Sequence, residues 1–102
     1  MLHTDLYIDG AWHKTETRFD VINPATEEVI ASVASAEIAD ADAALDTAER
    51  AMEDWAKRTP RERSEVLRRA WELMTARLED FARLITLENG KARADAMGEA
   101  AY

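Results

Sequence analysis

"TPRERSEVLRRAWELMTARLEDFARLITLENG", residues 59–90, decides how this 102-residue chain is organised. Thr59 has a hydroxyl that can accept from the amide three residues on, and Glu62 has a carboxylate that can return the bond. Pro60 falls at the first helical position, where its missing N–H costs nothing. A helix is therefore expected from Pro60 to Asn89, ~45 Å long if straight. Its apolar positions are wider than one stripe. Leu67, Met74, Leu78 and Ile85 lie on one side, and Val66, Leu73, Leu84 and Leu87 on another, so two sides want cover. A bend is expected near Thr75–Asp80, because Glu79-Asp80 can restart a turn. Asn89-Gly90 then supplies a left-handed cap, which glycine adopts without Cβ strain. A further helix follows over about 92–102, carrying Ala94, Ala96, Met97 and Ala100.

Upstream, Ser35 is the expected N-cap of a helix over about 36–56. Ile38, Ala41, Leu45, Ala48, Met52 and Trp55 recur there at spacings of 3, 4, 3, 4 and 3. One apolar stripe of that kind reads as a core-facing amphipathic helix. It is shorter than the ~3–4 heptads a coiled coil sustains. Residues 6–33 read as strands. Asp9-Gly10, between "LYI" and "AWH", favours a two-residue hairpin turn in which both positions need positive φ. "NPATEE" is a second turn, with Pro24 fixing its own φ. The fold class is α+β: an N-terminal hairpin and strands, then three helices.

Composition narrows the chemistry. The chain has no cysteine, and its two histidines, His3 and His13, are too few and too far apart for a zinc site. Residues 1–60 hold 13 acidic and 5 basic groups, residues 61–102 hold 8 of each, and the net charge is −8. Such a chain repels phosphate backbones, so nucleic acid is not an expected partner. No stretch approaches the ~18 apolar residues of a membrane span, and no basic-then-apolar leader opens the chain. The cytoplasm is the expected compartment. Glu49 with Glu53, and Asp42 with Asp46, are read as wet surface charges rather than a catalytic pair. Trp12, Trp55 and Trp71 are read as core anchors.

Taken in order, "LYIDGAW", "FDVINPAT", "EVIASV", "DAALDTAERAMEDW", "RSEVLRRAWELM" and "LITLENGK" resemble the start of the aldehyde dehydrogenase superfamily. The likeness runs from about Leu6 to Tyr102. "GKARADAMGEAAY" is similar to its succinate-semialdehyde dehydrogenase branch. The resemblance implies a parent enzyme of α/β fold, in which 1–102 is the N-terminal part of the cofactor-binding domain. It also implies NAD or NADP as cofactor, a small-molecule aldehyde as substrate, and assembly as a homo-oligomer. In that chemistry a thiolate adds to the aldehyde, hydride passes to the nicotinamide, and a carboxylate-activated water releases the acid. The catalytic cysteine, the glutamate base and the asparagine that holds the oxyanion are expected outside these residues, so this segment is expected to be inactive scaffold. The alternative is a free-standing helical interaction module.

Val21 and Ile22 match family positions whose backbone carbonyls help hold a monovalent cation; the other reading makes them buried strand residues. The position where the family often places a completing carboxylate is Ala100 here, with Glu99 beside it. Lys91 is read as a cation near a helix C-terminus, not part of a phosphate loop. Glu27 stands where the family usually carries glycine, and a turn type that needs no positive φ is the expectation there.

Overall fold

The computed structural model describes residues 3–102. Strands β1 Leu6–Ile8, β2 Ala11–His13, β3 Arg18–Ile22 and β4 Val29–Ala34 precede helices α1 Ile38–Lys57, α2 Pro60–Thr75, α3 Leu78–Asn89 and α4 Arg93–Ala101. This is the expected α+β segment, with four helices where three were read. The chain forms two compact units. The first runs to Val21 and resumes over Ala31–Arg58; the second joins Ile22–Ile30 to Thr59–Tyr102.

In the first unit, β1 and β2 are antiparallel, with Leu6 opposite His13, Tyr7 opposite Trp12 and Ile8 opposite Ala11. Asp9 (φ 52°) and Gly10 (φ 77°) make the turn, as their sequence asked. Arg18, on β3, ties the pieces together. Its guanidinium donates to Asp5 Oδ1 (2.8 Å), Thr4 Oγ1 (2.8 Å), Thr4 O (3.1 Å) and Ser32 O (2.9 Å). Helix α1 starts later than read. The Ser35 N–H donates to Thr17 O at 3.0 Å, and the helix begins at Ile38, so Ser35 is no cap. Glu37 takes that place, and its N–H donates to Asp40 Oδ2 at 2.9 Å. The stripe on α1 is not core-facing either: Ile38, Leu45 and Met52 are 82%, 69% and 63% exposed.

In the second unit, Thr59 and Glu62 form the expected reciprocal cap of α2, with Pro60 in its first turn. The expected bend is a full break. Ala76 N–H donates to Glu72 O and Arg77 N–H to Met74 O, a tightened last turn, while Arg77 leaves helical geometry (φ −120°, ψ 22°). Asp80 and Phe81 N–H groups then turn to Arg77 O, and Glu79 and Asp80 open α3 with negative charge. Gly90 closes α3 in the left-handed region, φ 73°. Helices α3 and α4 pack through Ala82 and Ala96, both fully buried. Small side chains at that contact let the backbones approach. Arg93 on α4 pairs with Glu79 on α3, and Lys91, in the connection between them, pairs with Glu99 on α4.

The tip of the β3–β4 ribbon also differs from expectation. Ala25 N–H donates to Asn23 Oδ1 (2.9 Å), Glu27 N–H to Asn23 O (2.8 Å) and Asn23 N–H to Glu28 O (2.9 Å). Closing the loop this way forces Glu27 to φ 60°, so the position does ask for positive φ. Glu27→Gly is expected to raise stability by about 1 kcal/mol, since a non-glycine residue there carries roughly that strain. A urea titration that ranks Glu27→Gly below the parent chain would contradict it.

Among the described residues, Ala34, Ala82 and Ala96 are the buried ones, and no large side chain is fully enclosed. Trp12, Trp55 and Trp71 are all exposed, against their reading as core anchors. Trp12 instead stacks on His3, with ring centres 4.2 Å apart, and tilts against Tyr7 at 4.8 Å.

Candidate functional site

Val21 and Ile22 end β3, immediately before the Asn23-Pro24 turn. Val21 is half-buried and Ile22 is exposed, so neither is a fully buried strand residue. Ala100, near the end of α4, offers a methyl group where a carboxylate was sought. Glu99 is engaged by the Lys91 ammonium, so its charge is already answered. Lys91 thus reaches forward to α4, beyond the role read for it at the end of α3. Among the described residues, no three His, Asp or Glu side chains gather as metal ligands would.

The three glycines test the fit to a dinucleotide. A phosphate cradle needs several glycines between a strand and a helix. Gly10 sits in a two-residue hairpin turn, Gly90 in a helix cap, and Gly98 within α4. These residues do not fit NAD or NADP, and no catalytic step is derived from them.

Among the described residues, two hollows in the first unit bear on function. One of about 300 Å³ lies among Lys14, Thr17, Ser35, Glu37 and Asp40, where the β2–β3 connection meets the start of α1. The other is a shallow apolar shelf of about 640 Å³ on the last turns of α1, bounded by Ala48, Ala51, Met52 and Trp55, with Asp54 and Arg58 at its rim. Arg58 lies 5.8 Å from the Trp55 ring centre, within cation–π range. On α2, hydrogen bonding to Glu65 first, then the charges of Glu65 and Glu72, raises the Arg68 pKa above its usual value. Sequence reasoning missed Arg18, whose partners are distant along the chain, and Thr86, whose Oγ1 is shielded on α3 without a partner among the described residues.

What these elements amount to is decided by their order along the chain. A sequence profile described as the aldehyde dehydrogenase family matches residues 12–102. The chain belongs to that family. It is 43% identical over 97 residues to a succinate-semialdehyde dehydrogenase [NADP(+)] of Saccharomyces cerevisiae, covering 94% of this chain and 20% of the relative. It is 42% identical over 98 residues to a glutarate-semialdehyde dehydrogenase of Pseudomonas aeruginosa, again 94% and 20%. The crystal structure of an NADP-dependent enzyme of E. coli superposes with a TM-score of 0.94 at 37% identity, covering 98% of this chain and 21% of that one. The chain spans about a fifth of the length of the curated relatives it matches.

Proposed function

We propose that residues 1–102 are the N-terminal scaffold of the cofactor-binding domain of an NAD(P)-dependent aldehyde dehydrogenase, which oxidises a semialdehyde, in first place succinate semialdehyde, to the acid. The observation that carries this reading is the superposition on an NADP-dependent enzyme over nearly the whole chain. The substrate choice is supported by relatives named for semialdehydes of dicarboxylic acids. The cysteine nucleophile, the base and the oxyanion donor belong to the remainder of such an enzyme. The same proposal makes the whole enzyme a cytoplasmic homo-oligomer without nucleic-acid partners, in keeping with the net charge of −8. Among the described residues, no helix is long and apolar enough to cross a membrane. Val21 and Ile22 stay in the proposal as backbone carbonyl ligands of a monovalent cation, with Glu99 held back by Lys91.

Two measurements test it. Calorimetric titration of the 102-residue chain with NAD+ and with NADP+ should give no saturable heat, because the chain lacks a glycine-rich cradle. Micromolar binding would refute the scaffold role. The gene's whole product, assayed by nicotinamide reduction, should show its highest kcat/KM with succinate semialdehyde. A preference for simple apolar aldehydes would refute the substrate reading.

A further inference from the structure

Asn89-Gly90 ends α3, and it is also a chemically reactive pair. The chain has two asparagines, Asn23 and Asn89. Asn23 precedes Pro24, whose nitrogen has no hydrogen to give up. Asn89 is exposed and precedes a glycine, which has no side chain to hinder approach to its nitrogen. In the native cap that nitrogen is occupied. Asn89 is the last residue of α3, and Gly90 N–H donates to Thr86 O at 2.9 Å, continuing the helical ladder. An amide nitrogen attacks a carbonyl only after giving up its proton, and here the proton is held. The left-handed turn at Gly90, φ 73°, fixes the backbone on the other side, with the Pro24 ring against it.

We infer that Asn89 is a latent site of self-modification, closed in the native cap and opened when the end of α3 frays. In the open state Gly90 N loses its proton and bonds to Asn89 Cγ. The bond from Cγ to the side-chain nitrogen breaks, and that nitrogen leaves with the proton as ammonia. Water then opens the cyclic imide. Addition at Cγ leaves an aspartate at position 89. Addition at the main-chain carbonyl leaves an isoaspartate, with the chain now running through Cβ and Cγ. Nothing is oxidised or reduced, and water is the sole co-reactant.

The change runs one way. Either product sets a carboxylate at the negative end of the α3 dipole. It stands next to Glu88 in the chain, and the following cation, Lys91, is already paired with Glu99. The isoaspartate also lengthens the backbone by one carbon just before Gly90. Pro24 leaves little room there, since a Cβ built on Gly90 would lie 2.8 Å from Pro24 Cγ. A passing opening of the cap thus becomes a permanent one. Every group invoked lies in the second unit, and the inference rests neither on an open apolar face nor on the dehydrogenase reading.

Incubation of the 102-residue chain in mildly alkaline buffer, followed by trypsin and mass spectrometry of residues 84–91, tests it. Conversion registers as the small mass rise of replacing an amide by a carboxyl, and chromatography separates the aspartate and isoaspartate forms. In the folded chain it should run at least about tenfold slower than in a free peptide of residues 84–91, because the open cap is a minor population. Guanidinium chloride should raise the rate to that of the peptide, while Asn23 stays unmodified throughout. Chains carrying the isoaspartate, returned to buffer, should unfold at a lower denaturant concentration than unmodified chains. A folded chain that converts as fast as the peptide would overturn the proposal, since the cap would then protect nothing. So would a modified chain that regains the unmodified midpoint.

Discussion

Replacing Gly90 by alanine is expected to cost about 2–3 kcal/mol, a large share of the stability of a small domain. Two effects combine there. At φ 73° an L-residue pays roughly 1–2 kcal/mol for its Cβ against the following carbonyl. A Cβ built at Gly90 would also lie 2.8 Å from Pro24 Cγ, inside any ordinary carbon–carbon contact. The obstacle is a proline ring, which has little freedom to turn aside, so the cap or the Asn23–Glu28 loop must shift. Gly98→Ala is the control. It lies within α4 with nothing within 4 Å of the added carbon, and alanine should gain up to ~1 kcal/mol there. Urea denaturation at one fixed protein concentration would measure both. A Gly90→Ala chain as stable as Gly98→Ala would show that neither strain nor overlap is felt at that cap.

The second large effect is expected at Arg18. Arg18→Met keeps much of the aliphatic length and removes every donor of the guanidinium. The ion pair with Asp5 is mostly shielded, with side chains 29% and 23% exposed, so salt screens it less than a surface pair. Hydrogen bonds to a charged group are worth about 1.5–3 kcal/mol, and the loss leaves Asp5 without its partner. A loss of ~2–4 kcal/mol is the expected result. Arg50→Met gives the contrast. Its approach to Asp9 is 3.7 Å and exposed, and its removal should change stability by less than about 1 kcal/mol. If denaturation finds the two substitutions equal, Arg18 is not the tie described above.

The contrast between these sites also explains what the sequence could reveal. Asp9-Gly10, Thr59 to Glu62 and Gly90 were legible because each signal and its consequence lie within four residues. The break after Thr75 was legible as a place but not as a kind. With no proline or glycine there, bending and breaking differ only in the turn that Ala76 and Arg77 adopt. Arg18 was illegible because Asp5, Thr4 and Ser32 lie 13 and 14 residues away along the chain, beyond the reach of any local signal. The error over α1 has another origin. Periodicity shows that a helix has an apolar side, but it cannot show whether that side is covered by its own chain. Of the candidate site, the positions of Val21 and Ile22 at the end of a strand were legible. That Lys91 would occupy Glu99 was not, since the pair joins residues eight apart across the start of α4.

The order in which the two units draw on the chain bears on how the protein is born. Every part of the first unit has been synthesised once Arg58 has been added, whereas the second needs Ile22–Ile30 together with Thr59–Tyr102. During synthesis the N-terminal portion folds first. The ribbon that ends in Pro24 is therefore expected to exist before the helix that will bring Gly90 against it. The turn at the tip then acts as a template waiting for the nascent helices, and α3 and α4 mature on a surface already in place. A cut at the junction of Arg58 and Thr59 would not release two modules. It would orphan the later helices from the peptide on which their cap is seated, so these residues are inherited, and lost, as one piece.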